Sequence, residues 1–263
     1  MNAIEQVVGL RETPGETARR RFMACEGRPL LLADWERTLF MHFEVPAEVL
    51  RPHVPFELDV HEGRAYVSLV AFTMCGMRLA RGGRLSRWLC APLGEQRFLN
   101  VRTYVRHQGE AGIHFIAEWI SNAFCVPFGP VTYGLPYRWG GLHYEHAHES
   151  GTVRGRVKAR RGGGVLEYSA RLPGGRFDSL EAGSRDEFLI ERYAAFTRHG
   201  ERRRLFRIWH EPWQVVRAEA DFGEDSLLRG LFPWWQEARF AGANYSPGCF
   251  NIWMGRPRKA RPV

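Results

Sequence analysis

Three groups of residues in this 263-residue chain carry side chains suited to chemistry. In the first, Asn100, Arg102 and Tyr104 alternate with Leu99, Val101, Thr103 and Val105 along residues 97–106. Alternate side chains of an extended segment fall on opposite faces, so the three polar residues share a face, and that face would line an interior if the apolar one packs under other elements. The arginine could clamp a carboxylate at two points, and the phenol could donate a hydrogen bond. Arg102 serves equally well in an internal network with a carboxylate such as Glu118 or Glu191, because a buried guanidinium needs a partner in either case. The second group is His42, Glu118, Asn122 and Tyr137, on strands or adjoining turns that can face one cavity. Histidine titrates near neutral pH, and a dry surrounding raises a carboxyl such as Glu118 toward that range. The plainer reading makes these four polar residues of the core or rim. The third group is the string His143-Tyr144-Glu145-His146-Ala147-His148-Glu149. As a strand it would place His146 and His148 on one face, a spacing found in metal sites. No third ligand can be named and the segment is polar, which favours a solvated loop, so no metal or other cofactor is expected.

The elements that must hold these groups are mostly strands. Residues 38–45 alternate, with Leu39, Met41, Phe43 and Val45 on one face. Residues 65–74 are apolar on both faces and read as a buried strand. Residues 97–106 and 112–122 form a hairpin about a turn at 108–112, the second strand alternating Ile113, Phe115, Ala117 and Trp119 against His114, Ile116, Glu118 and Ile120. Residues 151–160 and 165–171 form another, about the glycines of 161–164. That glycine run lacks the Lys-Ser/Thr ending of a phosphate loop. Ser184 and Glu187 spell a capping box, and Leu189, Tyr193 and Phe196 follow at helical spacing, so a helix is expected from Ser184 to just before Gly200. A shorter one is expected over residues 226–232, ahead of Pro233. Residues 255–263, rich in proline and arginine, read as a disordered basic tail. Many hairpins and few helices imply a mostly β, α+β domain, closed or nearly so, spanning residues 1–263 with its core at about 30–250.

Composition narrows the class. Hydrophobic residues make up 44% and charged residues 25%, ordinary for a globular protein. The net charge is +8, carried almost wholly by arginine, since Lys158 and Lys259 are the only lysines. Lys158 would share a strand face with Arg154, Arg156 and Arg160; crowding of that kind lowers a lysine pKa, but the face reads more simply as solvated. The arginines are scattered and no basic stripe is interleaved with aromatics, which argues against nucleic acid. Five cysteines, never spaced Cys-x-x-Cys, argue against a disulfide framework or a zinc site. No apolar stretch suits a signal peptide or a membrane span. A cytoplasmic protein without a membrane partner is expected. The late tryptophans Trp209, Trp213, Trp234, Trp235 and Trp253 would seal the domain, form a homo-oligomer contact or line an apolar ligand site.

An ordered set of short motifs carries a family resemblance. Asn100-Val101-Arg102-Thr103-Tyr104-Val105, the strand at 39–45 with its histidine, the segment 63–72, Gly112–Phe115, Gly134-Leu135-Pro136-Tyr137, the segment 189–193 and His210–Trp213 together resemble the bacterial YqjF-like family over roughly residues 30–220. That family stands beside acetoacetate decarboxylase. The resemblance implies a curved, cone-like antiparallel β-barrel with a few peripheral helices around a small-molecule pocket. Acetoacetate decarboxylases carry Gly-x-Pro-Lys-Lys, whose first lysine forms the Schiff base while the second lowers its pKa. Here the similar segment reads Gly134-Leu135-Pro136-Tyr137-Arg138, and neither Tyr137 nor Arg138 can form a Schiff base. The YqjF-like family also usually has Glu where this chain has Phe98, which moves any acid role there to Glu95 or Glu118.

The expected function is therefore binding of a small organic acid or similar polar ligand inside a barrel, without lysine-dependent decarboxylation. Asn100, Arg102, Tyr104, Asn122 and Arg138 are the expected ligand contacts. An alternative is a lyase, hydratase or isomerase using His42, Glu118 or Tyr137 as acid or base. A third reading is a basic interaction protein. A closed cavity lined by Arg102 and Glu118 would support the first two, and His42 within reach of Tyr137 or Glu118 would favour the enzyme.

Overall fold

The protein is described from a computed structural model that covers residues 13–83, 86, 90 and 94–260. Its described residues form fourteen strands: β1 (Leu31–Val45), β2 (Glu57–Leu58), β3 (Ala65–Leu79), β4 (Gln96–His107), β5 (Glu110–Ile120), β6 (Tyr137–Ala147), β7 (Thr152–Ala159), β8 (Val165–Arg171), β9 (Asp178–Ser179), β10 (Ala194–His199), β11 (Arg202–Trp209), β12 (Gln214–Phe222), β13 (Arg239–Met254) and β14 (Arg258–Lys259). The helices are few and short: α1 (Pro14–Glu26), α2 (Ala47–Leu50), α3 (Phe128–Thr132), α4 (Arg185–Ile190) and α5 (Ser226–Arg229). No described helix is long and apolar enough to cross a membrane. The hairpin between β4 and β5 turns at Gln108 and Gly109, with φ of 50° and 78°. Two successive left-handed residues match the right-handed twist of the flanking strands.

The strands close into two rings that share a wall. One ring has nine members, in the order β1, β3, β4, β5, β6, β7, β8, β12 and β13, which returns to β1. A shorter path leaves β5 through β10 and β11 and rejoins β13. Strands β13, β1, β3, β4 and β5 thus belong to both, and each of their faces looks into a different core. Leu39, Met41, Leu69, Leu99, Val101, Ala117 and Trp119 join residues of β6, β7 and β8 in the larger core. Phe40, Val70, Phe72, Phe98, Tyr104, Ile113 and Phe115 join residues of β10, β11 and β13 in the smaller. Strands buried on both faces explain why β3 lacks polar alternation.

Strand β5 is where the two paths part. Ile113 and His114 pair with β10, whereas Glu118 to Ile120 pair with β6. Between these halves the register with β4 slips by one residue, Val101 facing Ala117 while Arg102 faces Phe115. Ile116 is the extra residue of this bulge. A bulge reverses the side-chain phase beyond it, so Ile113 and Phe115 share the smaller core with Ile120, not with Ala117 and Trp119. The unbroken alternation expected along 112–122 is thereby corrected, and the correction carries Glu118 onto the face of the smaller ring.

Three further expectations change. The helix that starts at Ser184 ends at Ile190. Ser184 Oγ accepts from the Glu187 amide at 3.1 Å, but the Glu187 carboxylate accepts from Gly183 N at 2.7 Å instead of reaching back to Ser184. Residues 194–199 are strand, and Phe196 is buried there between β5 and β11. Apolar spacing at Leu189, Tyr193 and Phe196 suits a helix, yet the ladder to β5 and β11 pairs the same backbone groups and buries Ala194, Ala195 and Phe196. The short helix at 226 ends at Arg229 instead of 232. The basic tail is docked as far as Ala260: Arg258 and Lys259 pair with β11, and Arg258 Nη2 donates to Cys25 O at 2.6 Å.

Gly112 permits the crossing of β5 and β10. A Cβ at this position would lie 2.5 Å from Ala194 O, and backbone cannot yield as a side-chain tip can. Gly112→Ala is expected to lower stability by about 1–3 kcal/mol, the usual cost of overpacking. Urea unfolding measures this, and Gly109→Ala in the exposed turn, where nothing crowds the Cβ, separates steric cost from strain at positive φ.

Candidate functional site

The inner face of the smaller ring borders a partly open cavity of about 420 Å³. Its walls come from β1 (Leu31, Trp35), β3 (Phe72, Met74, Met77), β4 (Gln96, Phe98, Asn100), β5 (Phe115, Glu118), β11 (Phe206, Ile208) and Met254 of β13. The chain from Cys125 through α3 to Tyr137 closes one side. That volume and this mostly apolar lining with a few convergent polar groups suit a small organic molecule.

Register sets the polar groups side by side. Glu118 faces Asn100 across the β4–β5 ladder and Tyr137 across the parallel β5–β6 ladder. Asn100, Glu118 and Tyr137 thus form a row across three strands, all lining the cavity. Tyr137 keeps its place because position 129 is glycine: a Cβ there would lie 2.3 Å from the ring. The preceding turn is held by Thr197 Oγ1, which donates to Tyr133 O at 2.5 Å, and by Tyr133 Oη, which donates to Gly255 O at 3.0 Å.

Glu118 is 3% exposed, and its Oε2 has no hydrogen-bond partner among the described residues. Burial pushes its carboxyl well above the usual carboxylate range, with no cation close enough to offset it. Burial of this kind favours the neutral form of the carboxyl, the form that can donate a hydrogen bond into the apolar space it faces. Burial also pushes the Tyr137 phenol well above its ordinary value. Asn100 Oδ1 is likewise buried without a partner.

The other expected residues lie elsewhere. His42 lines no part of the cavity; its Nδ1 is 2.7 Å from Ser68 Oγ, which is 2.5 Å from Tyr104 Oη, and that hydroxyl donates to Leu189 O at 2.8 Å. The last bond fixes the direction of the others: Ser68 donates to Tyr104, and His42 Nδ1–H donates to Ser68. Burial lowers His42 to about 3, so it is a neutral structural donor that ties β1 and β3 to α4 and is not within reach of Glu118 or Tyr137. Arg102 Nη2 donates to Leu189 O at 2.9 Å and lies behind the cavity, beside a much smaller chamber. Asn122 accepts from Phe124 N and caps a turn. Arg138 points away from the cavity, over the Trp119 ring at 5.8 Å. Glu95 is exposed. The histidine string is strand through Ala147; His146 Nδ1 contacts Arg37 O and its Nε2 contacts Tyr168 Oη, and no cluster among the described residues is arranged to hold a metal. Both lysines are exposed and line no wall of the cavity.

Comparison with known proteins gives these features a context. A family profile described as an uncharacterized conserved protein, DUF2071, matches residues 32–240. The chain belongs to this family. It is 28% identical over 207 residues to the uncharacterized protein YqjF of Bacillus subtilis, covering 77% of this chain and 81% of that one. Among solved structures, an acetoacetate decarboxylase-like enzyme from Sphingomonas wittichii superposes with a TM-score of 0.63 at 14% identity, over 89% of this chain and 93% of that one. The enduracididine biosynthesis enzyme MppR, complexed with pyruvate, gives 0.61 at 13%, over 89% and 91%. Acetoacetate decarboxylase from Legionella pneumophila gives 0.58 at 11%, over 88% and 86%. The expected fold is therefore found: a mostly β chain in one curved sheet with a nine-strand ring, of the acetoacetate decarboxylase-like type.

Trp35, Phe72, Phe206 and Tyr133 escaped the sequence reading. Aromatics fill both cores here, and nothing in their spacing marks those that border empty space. Gly129 carried no signal either, since its role is defined by a ring eight residues further on.

The raised Glu118 carboxyl has a consequence for stability. Its folded-state pKa exceeds the unfolded one, so the folded state retains the proton and loses relative stability as pH rises from the ordinary carboxylate range through the folded value. Glu118→Gln has no such proton. Its stability relative to wild type is expected to grow between pH 5 and pH 8 in urea unfolding. A gap that stays constant across that range would mean that Glu118 is ionised when folded.

Proposed function

We propose that the protein binds a small, largely apolar organic molecule through a carbonyl or carboxyl oxygen that accepts a hydrogen bond from neutral Glu118. The observation that supports this reading is the unpartnered, buried carboxyl in a cavity of ligand size. A buried polar group without a partner costs about 1–3 kcal/mol, and a ligand oxygen would recover it. Asn100, beside it in the row, would orient the ligand. Small organic acids remain in the ligand class, bound through a neutral carboxyl or a keto oxygen and without the charged clamp expected of Arg102. A protein of similar fold takes such a ligand: MppR is complexed with pyruvate.

The reading does without Schiff-base chemistry: Tyr137 lines the cavity, and neither lysine is among its lining residues. A second reading rests on the adjacency of Glu118 and Tyr137. A neutral carboxyl beside a phenol offers two proton donors to a bound carbonyl oxygen, which supplies the acid half of a lyase or isomerase reaction and leaves the base to the substrate or solvent.

A thermal-shift panel of small keto acids, their esters and enones tests the binding. At least one member should raise the Tm of wild type, and Glu118→Leu should weaken its binding by roughly tenfold to hundredfold, about 1.4–2.8 kcal/mol. If no member binds, or if Glu118→Leu binds as tightly, the reading fails. Borohydride with a β-keto acid should leave Lys158 unmodified, and a reduced adduct there would restore the lysine mechanism.

A further inference from the structure

Behind the cavity, between β1, β4 and α4, lies a separate chamber of about 20 Å³. That is room for one water-sized occupant. It shares Trp35, Phe72, Asn100, Phe115 and Ile208 with the cavity as common walls. Five of its lining residues carry a buried polar atom with no hydrogen-bond partner among the described residues: Trp35 Nε1, Thr38 Oγ1, Asn100 Oδ1, Arg102 Nε and Arg192 Nη2. Buried polar groups are rarely left unsatisfied, so five around one small space call for an occupant.

The occupant's charge follows from the donors. Trp35 and the two arginines can only donate, and Thr38 can donate. The Asn100 amide can present Nδ2 instead of Oδ1, because its two ends differ only in the network assigned to them. All five residues can then offer a donor to an acceptor held in the chamber they line. The local charge is also unbalanced. Arg192 is met by Asp59, Nη1 to Oδ2 at 2.7 Å. Arg102, 7% exposed, makes no ion pair among the described residues. Glu191 is occupied by Trp213 N at 2.8 Å and Tyr193 Oη at 2.5 Å. An unpaired buried cation is costly, and water would leave it uncompensated.

We propose that this chamber is a buried anion site of single-atom size, taking a halide such as chloride, with Arg102 as its charge partner and Trp35, Thr38, Asn100 and Arg192 as the surrounding donors. A carboxylate, with two oxygens and a carbon, exceeds the space. The site shares the Asn100 side chain with the cavity but needs no cavity ligand, and it is read on the ligand-free protein.

Thermal unfolding of the full chain in sodium chloride or bromide, against sodium gluconate at matched ionic strength, tests it. Halide binding to the folded state alone should raise Tm with halide concentration, by on the order of several degrees well above Kd. Arg102→Met should lose that dependence. Trp35→Phe keeps the charge and removes one donor; it should weaken halide binding severalfold and remains informative if the arginine variant does not fold. A bromide-soaked crystal should show an anomalous peak in the chamber. Equal Tm in halide and gluconate with no bromide peak would leave water as the occupant and overturn the proposal. Stabilisation by acetate but not by halides would overturn it as well, making the chamber the seat of a carboxylate head.

Discussion

Strand β5 must serve three partners, and the rest of the molecule follows from how it does so. Its full length pairs with β4, while its other edge is divided between β10 near the start and β6 near the end. One straight strand edge cannot follow two strands that diverge. The bulge at Ile116 lets the edge change direction between them. Each half then keeps its backbone hydrogen bonds, and the two rings close about separate cores. The same extra residue reverses the facing of everything after it. A carboxyl that unbroken alternation would set opposite Phe115 is delivered into the space Phe115 lines.

The two rings divide the work of stability. The larger core is filled by aliphatic and aromatic side chains from eleven strands, with α5 and the Trp234–Trp235 turn closing it. The smaller keeps a void, and buried charge and polarity gather around it: Glu118, His42, Arg102, Asn100 and Arg192. Empty apolar volume and unpaired polar atoms both cost free energy. A chain that holds both in one place needs a surplus elsewhere, and the shared wall of five strands lets the filled core hold the hollow one rigid. The Asp59–Arg192 pair and the Leu189 carbonyl, which accepts from both Arg102 and Tyr104, fasten α4 to that wall.

Strand content, hairpins and family were readable from residue order because they rest on local signals: alternation, turn glycines and short ordered motifs. Asn100, Glu118 and Tyr137 were also identifiable, the first by its strand face and the last by its motif. What could not be read depends on non-local geometry. His42 has a histidine's chemistry in sequence, but full burial against Ser68 turns it into a neutral donor. Arg102 shares a strand face with Asn100, yet two residues along a strand is some 6–7 Å, enough to put one side chain in the cavity wall and the other behind it. The helix at Ser184 was overestimated because helical spacing at Tyr193 and Phe196 is also satisfied by a strand with neighbours on both sides. The Ile116 bulge has no residue signature at all; only the divergence of β6 from β10 requires it.

Glu118 and Arg102 lie two rows apart on adjacent strands of one wall, and a direct pair between them would have satisfied both. The structure keeps them separate. Among the described residues Glu118 meets no cation and burial raises its carboxyl, while Arg102 is turned to the Leu189 carbonyl and meets no carboxylate. Pairing would have ionised the carboxyl and ended its use as a donor. It would also have drawn the guanidinium into the cavity and filled it. Separation leaves an acid facing the ligand space and a cation behind the wall, each short of one partner. A folded chain tolerates such deficits where something from outside completes them, and the two spaces differ in size by some twentyfold, so they would be completed by different things.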